Sequence, residues 1–193
     1  MRSAGKATMS AVLLVSMILS GCAWQRIPAA PSYAAPSPLP LRVGVVLADT
    51  PASAAYGPGV VKLWEGMGVF KAVTYPYRDG DPVDAVLRLT VNGQWKGHGA
   101  GAGIIVGLTL GIASVGVGPS MTGVHDAAAA LSKDAQEIAK YVVRAESTVK
   151  WGMQADATDV GNKADDLQRR KIAVELAQKL EADRAKLLKA LGK

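Results

Sequence analysis

Residues 138–151, with the sequence IAKYVVRAESTVKW, alternate between two kinds of side chain along their length. One face is mainly apolar and the other more charged, which is the period-two pattern of a half-buried β-strand. The two faces are Tyr141, Val143, Ala145, Ser147, Val149 and Trp151, and Val142, Arg144, Glu146, Thr148 and Lys150. A strand of this length needs a neighbouring strand. We therefore predict a hairpin with residues 124–131, closed by a loop at 133–136.

A helix is the alternative for the first half of this hairpin. Residues 126–143 have a composition of high helix propensity. Asp134, followed three residues later by Glu137, has the spacing of a capping box. The hairpin is preferred because the strand at 138–151 requires a partner.

The other periodic segments predict an α+β fold. Its sheet is small and mostly antiparallel, with about four to six strands, and is packed by a short N-terminal helix and a long C-terminal helix. The further predicted strands are 41–47, 69–73 and 84–91, and the predicted helices are 60–66 and 165–191.

Breaker residues set the predicted limits of these elements. Gly57, Pro58 and Gly59 predict that no long helix precedes residue 60. Asn92-Gly93 predicts a tight turn after the strand at 84–91. Residues 152–162 are polar and predict a loop before the long C-terminal helix.

The N-terminus has the organisation of an export signal. Arg2 and Lys6 precede an apolar run at 11–19, and a basic start followed by a short apolar core is typical of a secretory signal peptide. The run is shorter than the roughly 20 residues that a transmembrane helix needs.

Leu19-Ser20-Gly21-Cys22 follows this run. The motif resembles the lipobox of bacterial lipoproteins at all four positions. The resemblance implies that the chain is cut before Cys22 and that Cys22 carries fatty acids such as palmitate. Because Ala23 rather than aspartate follows, the resemblance also implies sorting to the outer membrane, with the domain facing the periplasm. Residues 1–21 are then the signal peptide.

Residues 22–40 contain the acylated cysteine and a stretch rich in Pro and Ala, which predicts an extended tether. Residues 41–193 are the predicted periplasmic domain. Removal of Arg2 and Lys6 with the signal lowers the net charge from +6 to +4. This mild excess is compatible with an anionic lipid or glycan surface, whereas export argues against nucleic acid as a partner. Cys22 is the only cysteine, so no thiol remains for a disulfide or for catalysis.

A glycine-rich insertion at 99–118 contains no charged residue. Gly99, Gly103, Gly107 and Gly111 recur every four residues, a spacing that on a helix allows another backbone to approach closely. Two interpretations remain open. The segment either contacts the membrane or self-associates, or it is an apolar loop folded against the sheet.

Residues with catalytic or metal-binding chemistry are few. Asp79, Asp81 and Asp84 lie in a sequence typical of a solvated turn, and Pro82 argues against a calcium loop. His98 and His125 flank the glycine-rich insertion, but two imidazoles alone make a poor metal site. We therefore expect no metal, no cofactor and no enzymatic activity.

Three functions follow from these features. The first is a lipid-anchored outer-membrane lipoprotein whose domain is a structural or binding module, with membrane lipid and an envelope protein or a second copy as partners. The second is an oligomer that uses 99–118 at the membrane and resembles, in architecture only, the curli-secretion lipoproteins. The third, an envelope hydrolase, has no motif in its favour.

Overall fold

The computed structural model describes residues 25–98, 120–152 and 155–193. The lipobox and the glycine-rich insertion at 99–118 lie outside these residues. The strands are β1 (Gln25–Arg26), β2 (Leu39–Leu47), β3 (Phe70–Thr74), β4 (Ala85–His98), β5 (Ser120–Lys133) and β6 (Gln136–Trp151), and the helices are α1 (Pro51–Met67), α2 (Ala157–Ala182) and α3 (Arg184–Ala190).

The six strands form one sheet in the order β1-β6-β5-β4-β2-β3. β1 is antiparallel to β6, whereas β2 is parallel to both β3 and β4. β1 and β3 are therefore the edge strands among the described elements. The predicted α+β class, with a mostly antiparallel sheet and a long C-terminal helix, is confirmed.

β5 and β6 form the predicted hairpin. Asp134 and Ala135 make its two-residue turn, with φ angles of 51° and 65°. Positive φ at both central positions is the turn geometry whose twist matches that of paired strands. The cross-strand pairs Thr122–Thr148 and Asp126–Arg144 share one antiparallel register. The strand assignment for residues 124–131 is confirmed, and the helical alternative is wrong.

The first helix is longer than predicted, because Gly57, Pro58 and Gly59 lie inside α1 rather than before it. A Cβ on Gly57 would lie 2.6 Å from the Leu47 side chain, and one on Gly59 would lie 2.4 Å from Arg169. Both glycines therefore let the helix pack closely against its neighbours. Burial of the residues that follow, including Trp64, offsets the local cost of Pro58.

The predicted turn at Asn92-Gly93 is also wrong. β4 continues through both residues to His98. Gly93 has a φ of 144°, and a Cβ there would lie 2.2 Å from the backbone oxygen of Val124. The glycine is thus required by a close approach of β4 to β5 within the sheet, and not by a turn.

The C-terminal helix begins earlier than predicted, at Ala157, so the predicted loop at 152–162 is wrong from residue 157 onwards. The Asp156 carboxylate accepts hydrogen bonds from the backbone N–H groups of Thr158 and Asp159. This side-chain cap satisfies donors that the first turn of a helix leaves free. The helical segment is divided at Asp183, after which α3 begins.

Two compact units are present. The larger contains residues 29–95, 123–147 and 165–193, and the described residues of the smaller are 25–28, 96–98, 120–122, 148–152 and 155–164. The core of the larger unit is formed by one face of its strands together with the apolar sides of the helices, for example Leu87, Trp64 and Leu176. In β5 and β6 of this unit, every second residue faces away from the core. These residues, such as Asp126 and Val142, are more exposed than their core-facing neighbours.

Several residues of the segment predicted as a tether make ordered contacts. In the smaller unit, Gln25 and Arg26 pair with Trp151 and Lys150 of β6. In the larger unit, Tyr33 packs against the core, and the Arg184 guanidinium donates to the backbone oxygens of Ser37 and Pro38. β2 begins at Leu39, two residues before the predicted strand. Gln25 is therefore the first described residue held by strand pairing.

Candidate functional site

Two of the sequence-derived candidates, Asp81 and Asp84, lie in the segment between β3 and β4. Asp81 accepts a hydrogen bond from the Arg78 backbone N–H. Asp84 accepts one from the Arg42 N–H and forms an ion pair with Lys193. These contacts hold the pKa of Asp84 below its usual value, with the backbone hydrogen bond as the largest cause. Within the described ranges, no three His, Cys, Asp or Glu side chains form a group that could hold a metal ion.

A cluster of buried and partly buried polar side chains lies in the larger unit. The Tyr56 hydroxyl of α1 donates to Asp165 of α2 over 2.5 Å. The Trp95 indole N–H of β4 reaches the same carboxylate oxygen over 2.9 Å, and it lies 3.0 Å from the Tyr56 oxygen. One carboxylate thus connects two helices and a strand through charge-assisted hydrogen bonds.

His125 of β5 completes this cluster. Its side chain is 1% exposed, and its ring centroid lies 4.5 Å from that of Tyr56 and 6.0 Å from that of Trp95. Gln168 of α2 donates to the backbone oxygen of Gly123. His125 Nδ1 and Gln168 Oε1 are buried without a hydrogen-bond partner among the described residues, which is a costly arrangement.

Two glycines make room for these side chains. Gly93 lies against His125, and Gly123 lies against Trp95 and Gln168. A Cβ on Gly123 would lie 2.6 Å from the Gln168 amide nitrogen. The cluster therefore depends on the absence of a side chain at one position in each of two neighbouring strands.

Burial controls the charge of the titratable groups. Desolvation lowers the pKa of His125 below 6.5, and the nearby Asp165 and Asp126 only partly oppose this. Burial, and then the hydrogen bond to Asp165, raise the pKa of Tyr56 well above its usual value. At neutral pH the histidine is therefore neutral and the tyrosine keeps its proton.

The arrangement joins two helices and a strand. The Tyr56 proton is held by the carboxylate, and the unpaired histidine nitrogen has no nucleophile within hydrogen-bonding distance among the described residues. Ser53 has a similar structural role. Its hydroxyl accepts a hydrogen bond from the Val91 N–H and lies 3.3 Å from the Val91 oxygen. Val91 lies beyond Leu89, the last β4 residue that pairs with β2, so Ser53 takes the place of the missing strand partner.

One open site is a groove between α1 and α2. It has a volume of about 540 Å³, and Leu63, Met67 and Gly66 form part of its wall. Lys62, Arg169 and Arg170 line it together with one carboxylate, Asp166, which is paired with Arg170 over 2.7 Å. Because cations outnumber carboxylates, the groove favours an anionic ligand.

Another open site is a cavity of about 720 Å³ beside the β5–β6 turn. Asp79, Asp81, Asp84 and Asp134 contribute to its lining, together with Lys133. This cavity is more acidic than the groove between α1 and α2. Asp84 is already engaged by Lys193, as described above.

Most of the remaining sequence candidates lie beyond the part of the chain that the structure describes. Cys22 with Leu19, Ser20 and Gly21, and Gly99, Gly103, Gly107 and Gly111, are outside the described residues. His98 ends β4. None of the helices in the described ranges combines the length and the apolar character needed to cross a membrane.

Comparison with known proteins identifies no family. No protein-family model matches the chain, and no curated protein matches it. Among solved structures, it is similar to a minor lipoprotein from Acinetobacter baumannii, with 10% identity, coverage of 74% of this chain and 94% of that one, and a TM-score of 0.47. It is also similar to a protein from Xanthomonas campestris, with 16% identity, coverage of 78% and 90%, and a TM-score of 0.46.

A third similar structure is an uncharacterized lipoprotein B from Nitrosomonas europaea. The identity is 14%, the coverage is 84% of this chain and 95% of that one, and the TM-score is 0.42. At these identities and TM-scores, the similarities assign neither an activity nor a partner to this chain.

Sequence reasoning missed the buried cluster. Tyr56, Trp95 and Asp165 are separated by 39 and 70 residues along the chain, and no local motif connects them. The available signal was Gly93 and Gly123 on opposite sides of the insertion at 99–118. Strand pairing places each of them beside a large polar or aromatic side chain.

Proposed function

We propose that this protein is a lipid-anchored lipoprotein of the bacterial outer membrane, whose periplasmic domain is a non-catalytic structural or binding module. The observation that carries this proposal is the motif Leu19-Ser20-Gly21-Cys22 after a basic and apolar start. Two or three acyl chains on Cys22 would make membrane attachment stable, since each buried CH₂ contributes about 0.8 kcal/mol.

The non-catalytic part of the proposal is supported by the chemistry of the described side chains. In the cluster around Asp165, the carboxylate, the phenol and the indole are hydrogen-bonded to one another. The groove between α1 and α2 has the open shape and the charge of a binding surface. We assign the groove to an anionic component of the cell envelope.

The anchor is tested by mass spectrometry of the mature protein from its native envelope. The expected result is a chain that begins at Cys22 and carries diacylglyceryl and acyl masses. Cys22→Ala should prevent acylation, whereas the neighbouring change Ala23→Ser should leave it intact. An unmodified mature N-terminus in the wild type would refute the anchor.

Sorting is tested separately from acylation. Ala23→Asp should retain the acyl groups but keep the protein in the inner membrane, as separated on a density gradient. Equal distributions of the wild type and this variant would refute outer-membrane sorting and leave the anchor unaffected.

The binding role of the groove is tested with a photo-crosslinking residue at Lys62. The matched control is Lys71, an exposed lysine on β3. We expect Lys62 to yield a discrete crosslinked species in the envelope that Arg169→Glu removes. Crosslinking of equal yield at Lys71 and Lys62 would contradict a specific groove.

A second candidate function is an oligomer that uses residues 99–118 at the membrane. It is favoured by topology, because β4 ends at His98 and β5 begins at Ser120. Both ends of the segment therefore lie in the unit that contains Gln25, the residue three positions after the proposed anchor at Cys22. If the Cys22→Ala chain purifies as a soluble monomer, this candidate is refuted. Gly107→Leu should disturb assembly, whereas Gly66→Leu should not, because a Cβ at residue 66 would meet no heavy atom within 4 Å.

A further inference from the structure

The N-terminal strand determines how far the domain can lie from its anchor. Gln25 and Arg26 are paired with Trp151 and Lys150, and only three peptide units separate Cys22 from Gln25. An extended chain spans at most about 3.3–3.6 Å per residue, so this link reaches about 10 Å. If Cys22 is acylated as proposed above, the smaller unit is held close to the bilayer surface.

The residues at this position form a cationic patch, which consists of Arg26, Lys96 and Lys150. Arg26 lies directly opposite Lys150 in the antiparallel pair, so both side chains project from the same face of the sheet. All three basic residues are exposed. Neither Arg26 nor Lys150 forms an ion pair with another described residue.

Lys96 joins the patch through the strand register. Gly93 of β4 lies against His125 of β5, and the Ser132 hydroxyl donates to the Val86 backbone oxygen. Both contacts fit the same antiparallel alignment of β4 with β5. In that alignment Lys96 lies opposite Thr122, and Thr122 is hydrogen-bonded to Thr148 over 2.9 Å. Two hydroxyl-bearing residues therefore connect Lys96 to the side of β6 that bears Lys150.

The patch is unfavourable for folding unless an anion faces it, because like charges directly opposite on paired strands are destabilising. In the described part of the smaller unit the carboxylates are Asp156 and Asp159, and Asp159 is already paired with Lys163 over 2.7 Å. Along β6, the nearest carboxylate on the same face is Glu146, four residues from Lys150 and thus about 13 Å away. Anionic headgroups would supply the missing negative charge.

We propose that the sheet face bearing Arg26, Lys96 and Lys150 docks on anionic phospholipid headgroups of the membrane that holds Cys22. This inference rests on the proposed lipid anchor for the length of the link. The charge and position of the patch are properties of the described strands. The smaller unit is then apposed to the bilayer instead of being displaced from it on a long tether.

The test is co-sedimentation of the mature chain carrying Cys22→Ala with lipid vesicles. Vesicles that contain phosphatidylglycerol should bind the protein, and vesicles of phosphatidylcholine alone should bind it much less. Binding should weaken steeply as salt is added. A basic residue at an anionic surface contributes about fivefold to partitioning, so Lys96→Glu with Lys150→Glu should reduce binding by more than about 25-fold.

Lys140→Glu is the matched control, because Lys140 is an exposed lysine on the same strand, ten residues from Lys150. It should leave binding within about twofold of the parent chain. Lys150→Glu replaces a like-charge pair with an opposite-charge pair, so thermal unfolding should show no loss of stability. Circular dichroism verifies that each variant is folded.

Three results would overturn the proposal. These are equal binding to both vesicle types, an equal loss in the Lys140→Glu control, and release from vesicles by a soluble anionic polysaccharide that binds the patch more tightly than lipid does. The assay uses a chain without acyl groups, so its failure would not refute the lipid anchor. Mass spectrometry of the native protein decides that question independently.

Discussion

The close approach of β4 to β5 predicts that Gly93→Ala is strongly destabilising. Gly93 has a φ of 144°, a backbone conformation that residues with a side chain rarely adopt. A Cβ would lie 2.2 Å from the Val124 oxygen and 2.6 Å from the His125 Cα atom. Both clashing atoms belong to the backbone, so no side-chain rotation can relieve them.

The magnitude follows from two separate costs. A residue held in a disfavoured backbone region costs about 1–3 kcal/mol, and overpacking against fixed atoms costs about 1–3 kcal/mol. The free energy of unfolding should therefore fall by about 2–6 kcal/mol, out of a total of about 5–15 kcal/mol for a typical domain. The matched control is Gly161→Ala in α2, where a Cβ meets no heavy atom within 4 Å. This control should increase stability by up to about 1 kcal/mol, since alanine favours a helix more than glycine does.

The assay is urea unfolding of the Cys22→Ala mature chain, followed by circular dichroism. The difference in free energy of unfolding is read from the midpoint and the slope. The reasoning is refuted if Gly93→Ala lies within about 0.5 kcal/mol of the parent chain, the range of an ordinary surface change. It is also refuted if Gly161→Ala is the more destabilising of the two.

Three further predictions concern the larger unit. Tyr56→Phe should lower the free energy of unfolding by about 1.5–3 kcal/mol, because Asp165 loses a charge-assisted hydrogen bond. Urea unfolding measures this difference, and an unchanged midpoint would contradict the prediction. The free energy of unfolding should fall as the pH is lowered below about 6.5, because burial depresses the pKa of His125 and the unfolded chain then binds more protons than the folded chain. His125→Gln should flatten this part of the pH profile. An equal slope in the wild type and in this variant would exclude His125 as the cause. Ser53→Ala should lower the free energy of unfolding by about 1–3 kcal/mol, since the Val91 N–H loses its buried acceptor. Ser53→Thr keeps the hydroxyl and therefore tests whether this loss of stability comes from the hydrogen bond. Equal losses in both variants would assign the effect to packing instead.

The elements with a clear side-chain period could be predicted from sequence. The strand at 138–151 was recognisable because its side chains alternate between a buried and an exposed face. The hairpin followed because an isolated strand cannot satisfy its backbone groups. Such patterns are local, and each can be read within one segment.

The errors arose where tertiary packing overrides local preference. Pro58 lies within α1, where the buried residues of the helix offset its cost. Gly93 resembles a turn residue in sequence, but it lies within β4 because a neighbouring strand leaves no space for a side chain. The same limitation explains why the cluster around Asp165 was missed, since its members come from distant segments.

The sequence by itself determined the alternation that defines most strands, and it contains the motif on which the proposed lipid anchor rests, because each of these patterns depends on neighbouring residues. Only the tertiary structure decided which distant side chains meet. It placed a carboxylate of α2 against a tyrosine of α1 and a tryptophan of β4, and it brought Arg26 opposite Lys150. These contacts depend on strand order and register, which no short segment of the chain encodes alone.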